Sequence, residues 1–355
     1  MEIVLTLLTA CILAVVVANV ILWPAVDPRR AAPAPVSVLI PARDEAAKLP
    51  ACLDSVLQQD GVREVLVYDD HSRDATPEVV LAYARRDSRV RLIPPSPLPP
   101  QWRGKPFACY TLAAAASAEW LLFLDADAVL TPGAIPRALA EAERRGLTLL
   151  SCWPGLRMES FWEKLLMPML NFVVFTLYPA PLAIRQPSNP ALGLAHGVFM
   201  LARREAYHRV GGHAAVRTEL FEDTLLARIW RQRGERSLCL DGQRLVSTRM
   251  YESLSGIWRG FQKNFYPAFR APLSFWLFLS FHALAFLVPF LGGFWFAAAA
   301  VLAARLLLAL RFRHPLWSCA LHPVAQAFLL ALGLSSWWRF HHGGVEWKGR
   351  RYRAA

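Results

Sequence analysis

Residues 120–130, WLLFLDADAVL, decide the fold. Five apolar residues in succession are too few for a typical buried helix and suit a strand covered on both faces. The acids Asp125 and Asp127 come immediately after, with Ala126 between them, and then a second short apolar run, Ala128-Val129-Leu130. A fully buried strand that ends in carboxylates is typical of parallel sheets, which bind ligands outside the carboxyl ends of their strands.

Reading outward, the same unit recurs. VSVLIPA (36–42) reads as a strand, followed by helical spacing over 45–59, with Leu49, Leu53, Val56 and Leu57 on one side. EVLVYDD (64–70) is a second strand with two terminal acids. Residues 76–87 predict a helix with Pro77 in its first turn and Thr76 at its N-cap. Residues 90–93 read as a strand and 108–118 as an Ala-rich helix. Beyond the central strand, 132–145 predicts a helix and 147–153 another strand. This alternation predicts an α/β fold, a mostly parallel sheet with helices on its faces.

The whole chain has 355 residues, 55% of them hydrophobic and 19% charged, with a net charge of +12. Soluble domains average about 25% charged residues, so disorder, a coiled coil and an ordinary secreted domain are excluded at once. Six cysteines stand singly at 11, 52, 109, 152, 239 and 319. With no C-x-x-C pair, neither a zinc site nor a disulfide framework is indicated, and a reducing compartment fits.

The apolar excess is concentrated in the flanks. Residues 3–23 carry no charge and are long enough to cross a bilayer as a helix. They lack the basic start and the cleavage site of a signal peptide. Glu2 precedes this run and Arg29 and Arg30 come after it, so the positive-inside rule places the chain beyond the run in the cytoplasm. Residues 273–310 form a second tract, broken at Pro289, Gly292 and Gly293, which predicts two helices. Residues 316–338 form a third. The domains expected are an N-terminal transmembrane helix (1–28), a cytoplasmic catalytic domain (29–270), C-terminal membrane helices (271–338) and a basic tail (339–355). Arg311, Arg313 and the tail all favour the cytoplasm. That requires 316–338 to be interfacial or re-entrant, or else the tail to lie outside. The localisation expected is a multi-pass protein of the cytoplasmic (inner) membrane.

Residues 29–270 hold 31 Lys and Arg against 24 Asp and Glu, a surplus suited to anionic head groups. No RNP signature, zinc finger or Lys/Arg-rich arm is present, so nucleic acid is not an expected partner.

Three acidic clusters bear on chemistry. Asp125 and Asp127 offer the oxygen ligands that a hard divalent cation takes, and such a cation bridges phosphates. A strand-end turn with solvated acids is the plainer alternative. Asp69 and Asp70 end a strand, where a carboxylate can accept the imide N–H of a uracil, while Asp74 and Thr76 read as turn and cap. Glu222 and Asp223 open the helix TLLARIWRQRG. Acids are favoured there by the helix dipole, and one of them is placed to act as a general base toward a hydroxyl.

The order PARDE (41–45), YDDHSRDAT (68–76), GK (104–105), DAD (125–127), GGH (211–213) and ED (222–223) resembles the GT-A glycosyltransferases of family 2, over about 36–270. RMY (249–251), W-x-G (258–260), KN (263–264) and WKGRRY (347–352) resemble the bacterial membrane branch linked to carotenoid and hopanoid glycosylation. The resemblance implies a nucleotide-sugar donor, expected to be a UDP-hexose, and a divalent cation, Mg²⁺ or Mn²⁺. It implies that Pro41, Ala42, Arg43 and Glu45 line the uridine and that Asp69 and Asp70 hold uracil and ribose. Lys105 is implied near the nucleotide or its phosphates, Asp125 with Ala126 at the ribose or metal, and Asp127 on the metal. Asp223 is implied as the catalytic base, supported by Glu222, and one base with direct displacement implies inversion. Processive members of the family carry Q/R-x-x-R-W after the base. Here the nearest string, Arg259-Gly260-Phe261-Gln262-Lys263, departs from it. Polymer synthesis is therefore not expected, though Arg259 and Lys263 remain candidates to stabilise the departing diphosphate. A polyprenyl-phosphate acceptor is an alternative. A non-catalytic membrane scaffold fits poorly with intact DAD and ED.

Residues 161–182, FWEKLLMPMLNFVVFTLYPAPL, are very apolar. A full crossing there would put Asp127 and Asp223 on opposite faces of a bilayer. An interfacial or re-entrant segment broken at Pro168 and Pro179 is expected instead, admitting a lipid acceptor. Trp258 is expected at head-group level on the acceptor side, and His213 in a turn or at the acceptor site.

Overall fold

The computed structural model describes all residues except 28–31, 33, 270, 344, 348–349 and 353–355, with the backbone alone of 345–347 and 350–352. Arg29, Arg30 and the WKGRRY stretch, including the Trp347 side chain, thus lie wholly or largely outside the described residues. The chain divides into two compact units that interleave in sequence. One comprises 24–157 and 182–250, the other 1–23, 158–181 and 251–355. These boundaries differ from a contiguous 29–270 block, because residues 158–181 and 251–270 group with the apolar helices.

The first unit is built on a seven-stranded sheet. Its strands are β1 (Val36–Ala42), β2 (Val62–Asp69), β3 (Val90–Ile93), β4 (Trp120–Leu124), β6 (Leu149–Trp153), β8 (Phe199–Arg203) and β9 (Ser237–Asp241). The remaining strands, β5 (Ala128–Leu130), β7 (Gly155–Leu156) and β10 (Val246–Thr248), form a small sheet in the order β5-β10-β7. The large sheet runs β3-β2-β1-β4-β8-β6-β9. All its pairings are parallel except those of β8, which is antiparallel to both β4 and β6. The fold class expected from the alternation is therefore the one observed, with one reversed strand. Residues 24–26 pair with the β9 edge through Val26 N–H to Asp241 O, which covers part of an otherwise open edge.

Core side chains sit on both faces. Val38, Ile40, Leu122, Leu124 and Leu150 pack under helices Leu49–Leu57 and Ala134–Arg145. Leu39, Leu66, Leu121 and Trp230 pack with helix Gly104–Ala115 on the other. Central strands buried on both faces read as continuous apolar runs, which is why WLLFL and VLVY were legible. Helix Leu49–Leu57 starts later than the spacing suggested, because Glu45 is held in the preceding turn. Thr76 is the first helical residue, and Ala75 occupies the N-cap. The Thr76 hydroxyl instead accepts from Glu45 N–H at 2.9 Å.

In the second unit three helices are long and apolar enough to cross a membrane, namely Glu2–Leu22, Pro272–Leu291 (kinked near Leu287 before Pro289) and Trp295–Phe312. Among the described residues, helix His322–His342 is not such a candidate; its His, Gln, Ser and Arg residues dilute its apolarity. The burial pattern is inverted relative to a soluble domain. Ile3, Leu7, Leu291, Trp295 and Phe296 face outward, while Thr9, Asn19, His282, Arg305 and Gln326 are buried. Polar groups facing inward and apolar ones outward is the arrangement a lipid solvent favours.

The apolar stretch 161–182 forms helices Phe161–Leu166 and Pro168–Leu177 and enters a third, Ala180–Arg185. Ser160 and Glu163 form a capping box at its start. The end of its second helix is capped by Asn19 of the N-terminal helix. Asn19 Nδ2 donates to the carbonyls of Phe175 and Tyr178, each at 2.8 Å, and Asn19 Oδ1 accepts from Ala180 N–H at 3.0 Å.

Candidate active site

The first and second strand-end loops are stitched together. Asp70 N–H donates to Ala42 O at 2.7 Å, and Arg43 Nη1 donates to Asp70 O at 2.6 Å. Asp44, in the left-handed region at φ 52, donates its N–H to Ser72 Oγ and accepts Arg73 N–H. Asp74 accepts from Ala46 N–H and from the Thr76 hydroxyl. Turn residues that bond backbone N–H groups are a local alternative to secondary structure, and here two such turns lock one another. Asp69 and Asp70 are both buried at this junction.

The DAD motif turns between β4 and β5, with Ala128 N–H donating to Asp125 O. Asp127 is pushed up to about 6 by burial, by the Asp125 charge and by Glu45. Nearby, Lys48 Nζ donates to Arg249 O at 3.1 Å and to Met250 O at 3.4 Å, which ties the helix after PARDE to the RMY stretch. Asp125 and Asp127 supply only oxygen donors, and repulsion between them raises Asp127. That donor set fits a hard cation. Among the described residues no group of three or more His, Cys, Asp or Glu has the arrangement of a complete metal cage.

Lys105 links the DAD and ED motifs. It sits in the first turn of helix Gly104–Ala115. Its Nζ lies 2.8 Å from Asp125 Oδ1 and 3.3 Å from Glu222 Oε1. Burial would lower its pKa, but the two carboxylates outweigh that and hold it well above its ordinary value. The loop before it is fixed by Arg103 N–H to Arg217 O at 2.7 Å.

Asp223 lies in the first turn of helix Glu222–Gln232. Its Oδ2 accepts from Gly197 N–H at 2.8 Å and its Oδ1 from Thr224 N–H at 2.7 Å. Burial and the neighbouring Glu222 charge push Asp223 up to about 7, against the opposing pull of Lys105 and the two N–H groups. A carboxyl tuned to this range is suited to accept a proton near neutral pH.

Gly197 is a site residue that the motifs missed. A Cβ there would lie 2.9 Å from Lys105 Nζ and 3.3 Å from Asp223 Oδ2, so only glycine leaves both side chains their places. The signal was available as Ala-His-Gly just before the apolar run of β8. The adjacent His196 is held by packing. Its Nδ1 accepts Val198 N–H, its ring stands edge-on to Trp153, and burial pulls it down to about 4.

His213 lies in a turn, as expected, but the turn points inward. Gly211 and Gly212 both have positive φ, and a Cβ on Gly212 would strike the Tyr207 ring. This turn delivers His213 into the core, 2% exposed, against Phe123 and Tyr207, with Nδ1 3.0 Å from the Tyr207 hydroxyl. It has no surface to offer an acceptor. Trp258, Arg259 and Lys263 lie on helix Leu254–Asn264 of the apolar unit. Trp258 stands edge-on to Phe328, and Arg259 Nε donates to Ser255 O.

The chain is similar to known proteins. Residues 37–211 match the model of Glycosyl transferase family 2; Glu222 and Asp223 lie just beyond. The chain is 25% identical to 4,4'-diaponeurosporenoate glycosyltransferase of Staphylococcus aureus strain USA300, over 89% of this chain and 88% of the relative. The same protein of strain MRSA252 matches equally well. Among solved structures, a mannosyltransferase from Pyrobaculum calidifontis in complex with GDP-Man and Mn²⁺ superposes with a TM-score of 0.56. It is 21% identical, and the match covers 95% of this chain and 99% of that one. That likeness supports the fold, with the seven-stranded sheet as its GT-A core. Residues 37–211 of this chain are a family 2 glycosyl transferase domain.

Proposed function

We propose that the chain transfers one sugar, with inversion, from a nucleotide sugar to the hydroxyl of a membrane lipid, a carotenoid or another isoprenoid. The observation that carries this reading is the Asp223 carboxyl. It is oriented by two backbone N–H groups and tuned to near neutrality beside the Lys105–Asp125–Glu222 cluster. In this reading Asp223 accepts the acceptor hydroxyl's proton as that oxygen attacks the anomeric carbon opposite the diphosphate. Glu222 keeps Asp223 basic through its charge and anchors Lys105. The interlocked loops carrying Pro41, Ala42, Arg43, Glu45, Asp69 and Asp70 bind the nucleoside. Asp127, with Asp125, would hold Mg²⁺ or Mn²⁺, which when bound neutralises charge on the diphosphate. The domain is proposed to face the cytoplasm from the inner membrane.

The lipid acceptor is supported by the apolar unit on the same chain and by the carotenoid named in the relative. The test is transfer by the full-length chain in nanodiscs with Mn²⁺, in separate arms with UDP-glucose and GDP-mannose. Lipids extracted from cells with and without the gene serve as acceptor, and products are read by mass spectrometry. A glycosylated isoprenoid with a β-linkage from an α-linked donor is expected. Hydrolysis without a lipid product, or a retained α-linkage, would overturn the reading.

A further inference from the structure

The apolar unit encloses a guanidinium with no ion-paired acid among the described residues. Arg305 lies on helix Trp295–Phe312, is 1% exposed, and has no hydrogen-bond partner for Nε, Nη1 or Nη2 among the described residues. The face of Phe172 lies 5.6 Å from its guanidinium carbon. Phe172 also meets His322 and Phe286, each at 4.8 Å. Among the described residues neither His322 ring nitrogen nor His314 Nδ1 has a hydrogen-bond partner, while His314 Nε2 is 3.0 Å from Asn171 Nδ2.

An arginine does not shed its proton in a protein, so this is a buried charge. Burial strips the charge of water, and a single cation–π contact returns only part of that cost. The deficit identifies what the site lacks, namely an anion. Ionisable groups at membrane depth mark binding sites or pathways. Arg305 is seven residues from the Phe312 end of its helix, about 10 Å at the usual rise, and that end carries Arg311 and Arg313. Aromatic rings pack beside it, and the imidazoles of His322 and His314 keep ring nitrogens without hydrogen-bond partners among the described residues. They suit an apolar chain ending in an acid, not a hydrated ion.

We propose that Arg305 anchors a binding site for the acid group, carboxylate or phosphate, of a membrane lipid. The planar fork takes two oxygens of the acid, His322 and His314 add N–H donors, and Phe172 and Phe286 flank the chain. The site is assigned from the apolar unit alone and does not depend on the sugar-transfer reading.

The experiment uses the full-length chain without nucleotide sugar and native mass spectrometry. Oleic acid is compared with methyl oleate, and phosphatidylglycerol with phosphatidylcholine. Wild type should hold at least one acidic lipid about tenfold more tightly than its neutral counterpart. Selectivity for oleate alone identifies a free lipid acid as the source, and for phosphatidylglycerol alone a phospholipid. Arg305→Gln should abolish the selectivity while leaving the neutral lipids bound as before. Absence of selectivity in wild type, or its persistence in Arg305→Gln, would overturn the proposal. Should that variant fail to fold, photo-crosslinking wild type with a diazirine fatty acid decides. Label on peptides carrying Phe172, Arg305 or His322 supports the site, and label confined elsewhere rejects it.

Discussion

Lys105 Nζ lies 2.8 Å from Asp125 Oδ1, and the same ammonium reaches Glu222 Oε1. One cation thereby holds the ends of β4 and of helix Glu222–Gln232 together. It also moderates the carboxyl beside it, since its charge lowers Asp223 while burial and Glu222 raise it. The balance of these influences is open to measurement.

The pH profile is the first test. With Asp223 near 7, kcat/KM should rise as the pH climbs through that value, because the base acts only when ionised. Glu222→Gln removes a repelling charge and should move this limb to lower pH. Lys105→Met removes an attracting one and should move it higher. Shifts in the same direction for both variants would contradict the assignment.

Removing the base itself should separate chemistry from binding. Asp223→Asn keeps the shape and can still accept the Gly197 N–H. Turnover should fall by about 10²–10⁴-fold, while donor affinity by calorimetry stays within about twofold of wild type, under half a kcal/mol. Unimpaired turnover would remove Asp223 from the role.

The DAD turn should govern metal dependence. Asp127→Ala is expected to lose at least about tenfold in Mn²⁺-stimulated donor affinity, equivalent to ~1.4 kcal/mol. An unchanged Mn²⁺ response in a titration followed by thermal shift would dissociate Asp127 from the cation.

Gly197→Ala tests the close approach. The new methyl displaces the flexible end of Lys105 and crowds Asp223. The domain should melt within a few degrees of wild type, about 1 kcal/mol, yet transfer should drop far more. Equal losses in stability and activity would make Gly197 a purely structural glycine.

Asn19→Leu probes the apolar unit. It removes the three hydrogen bonds that Asn19 makes to the carbonyls of Phe175 and Tyr178 and to Ala180 N–H. Each such bond contributes about 1 kcal/mol net, so the detergent-solubilised chain should melt earlier. An unaltered melting curve would show that these groups find other partners.

Much of the framework was readable from the sequence. The runs VSVLIPA, EVLVYDD and WLLFL predicted strands because central parallel strands are apolar on both faces. The acids at their ends marked the edge proposed here to bind the donor. The tracts 3–23 and 273–310 predicted the three helices long and apolar enough to cross a membrane, whereas 316–338 gave a helix that is not such a candidate among the described residues. β8 was not readable, since its five residues carry no signal of direction, and its antiparallel course is set by β4 and β6 on either side. The turn at His213 was readable from Gly211-Gly212, but that the turn points its ring into the core was not. Motif order placed Asp125, Glu222 and Asp223 in one family pattern. Only folding brought Lys105 between two of them, set Gly197 against the third and buried Arg305 with no ion-paired acid among the described residues. Periodicity and composition act between near neighbours, so the sequence by itself determines elements and their ends. Charge balance and proton affinity depend on which distant groups share a desolvated space, and that was decided by the tertiary structure alone.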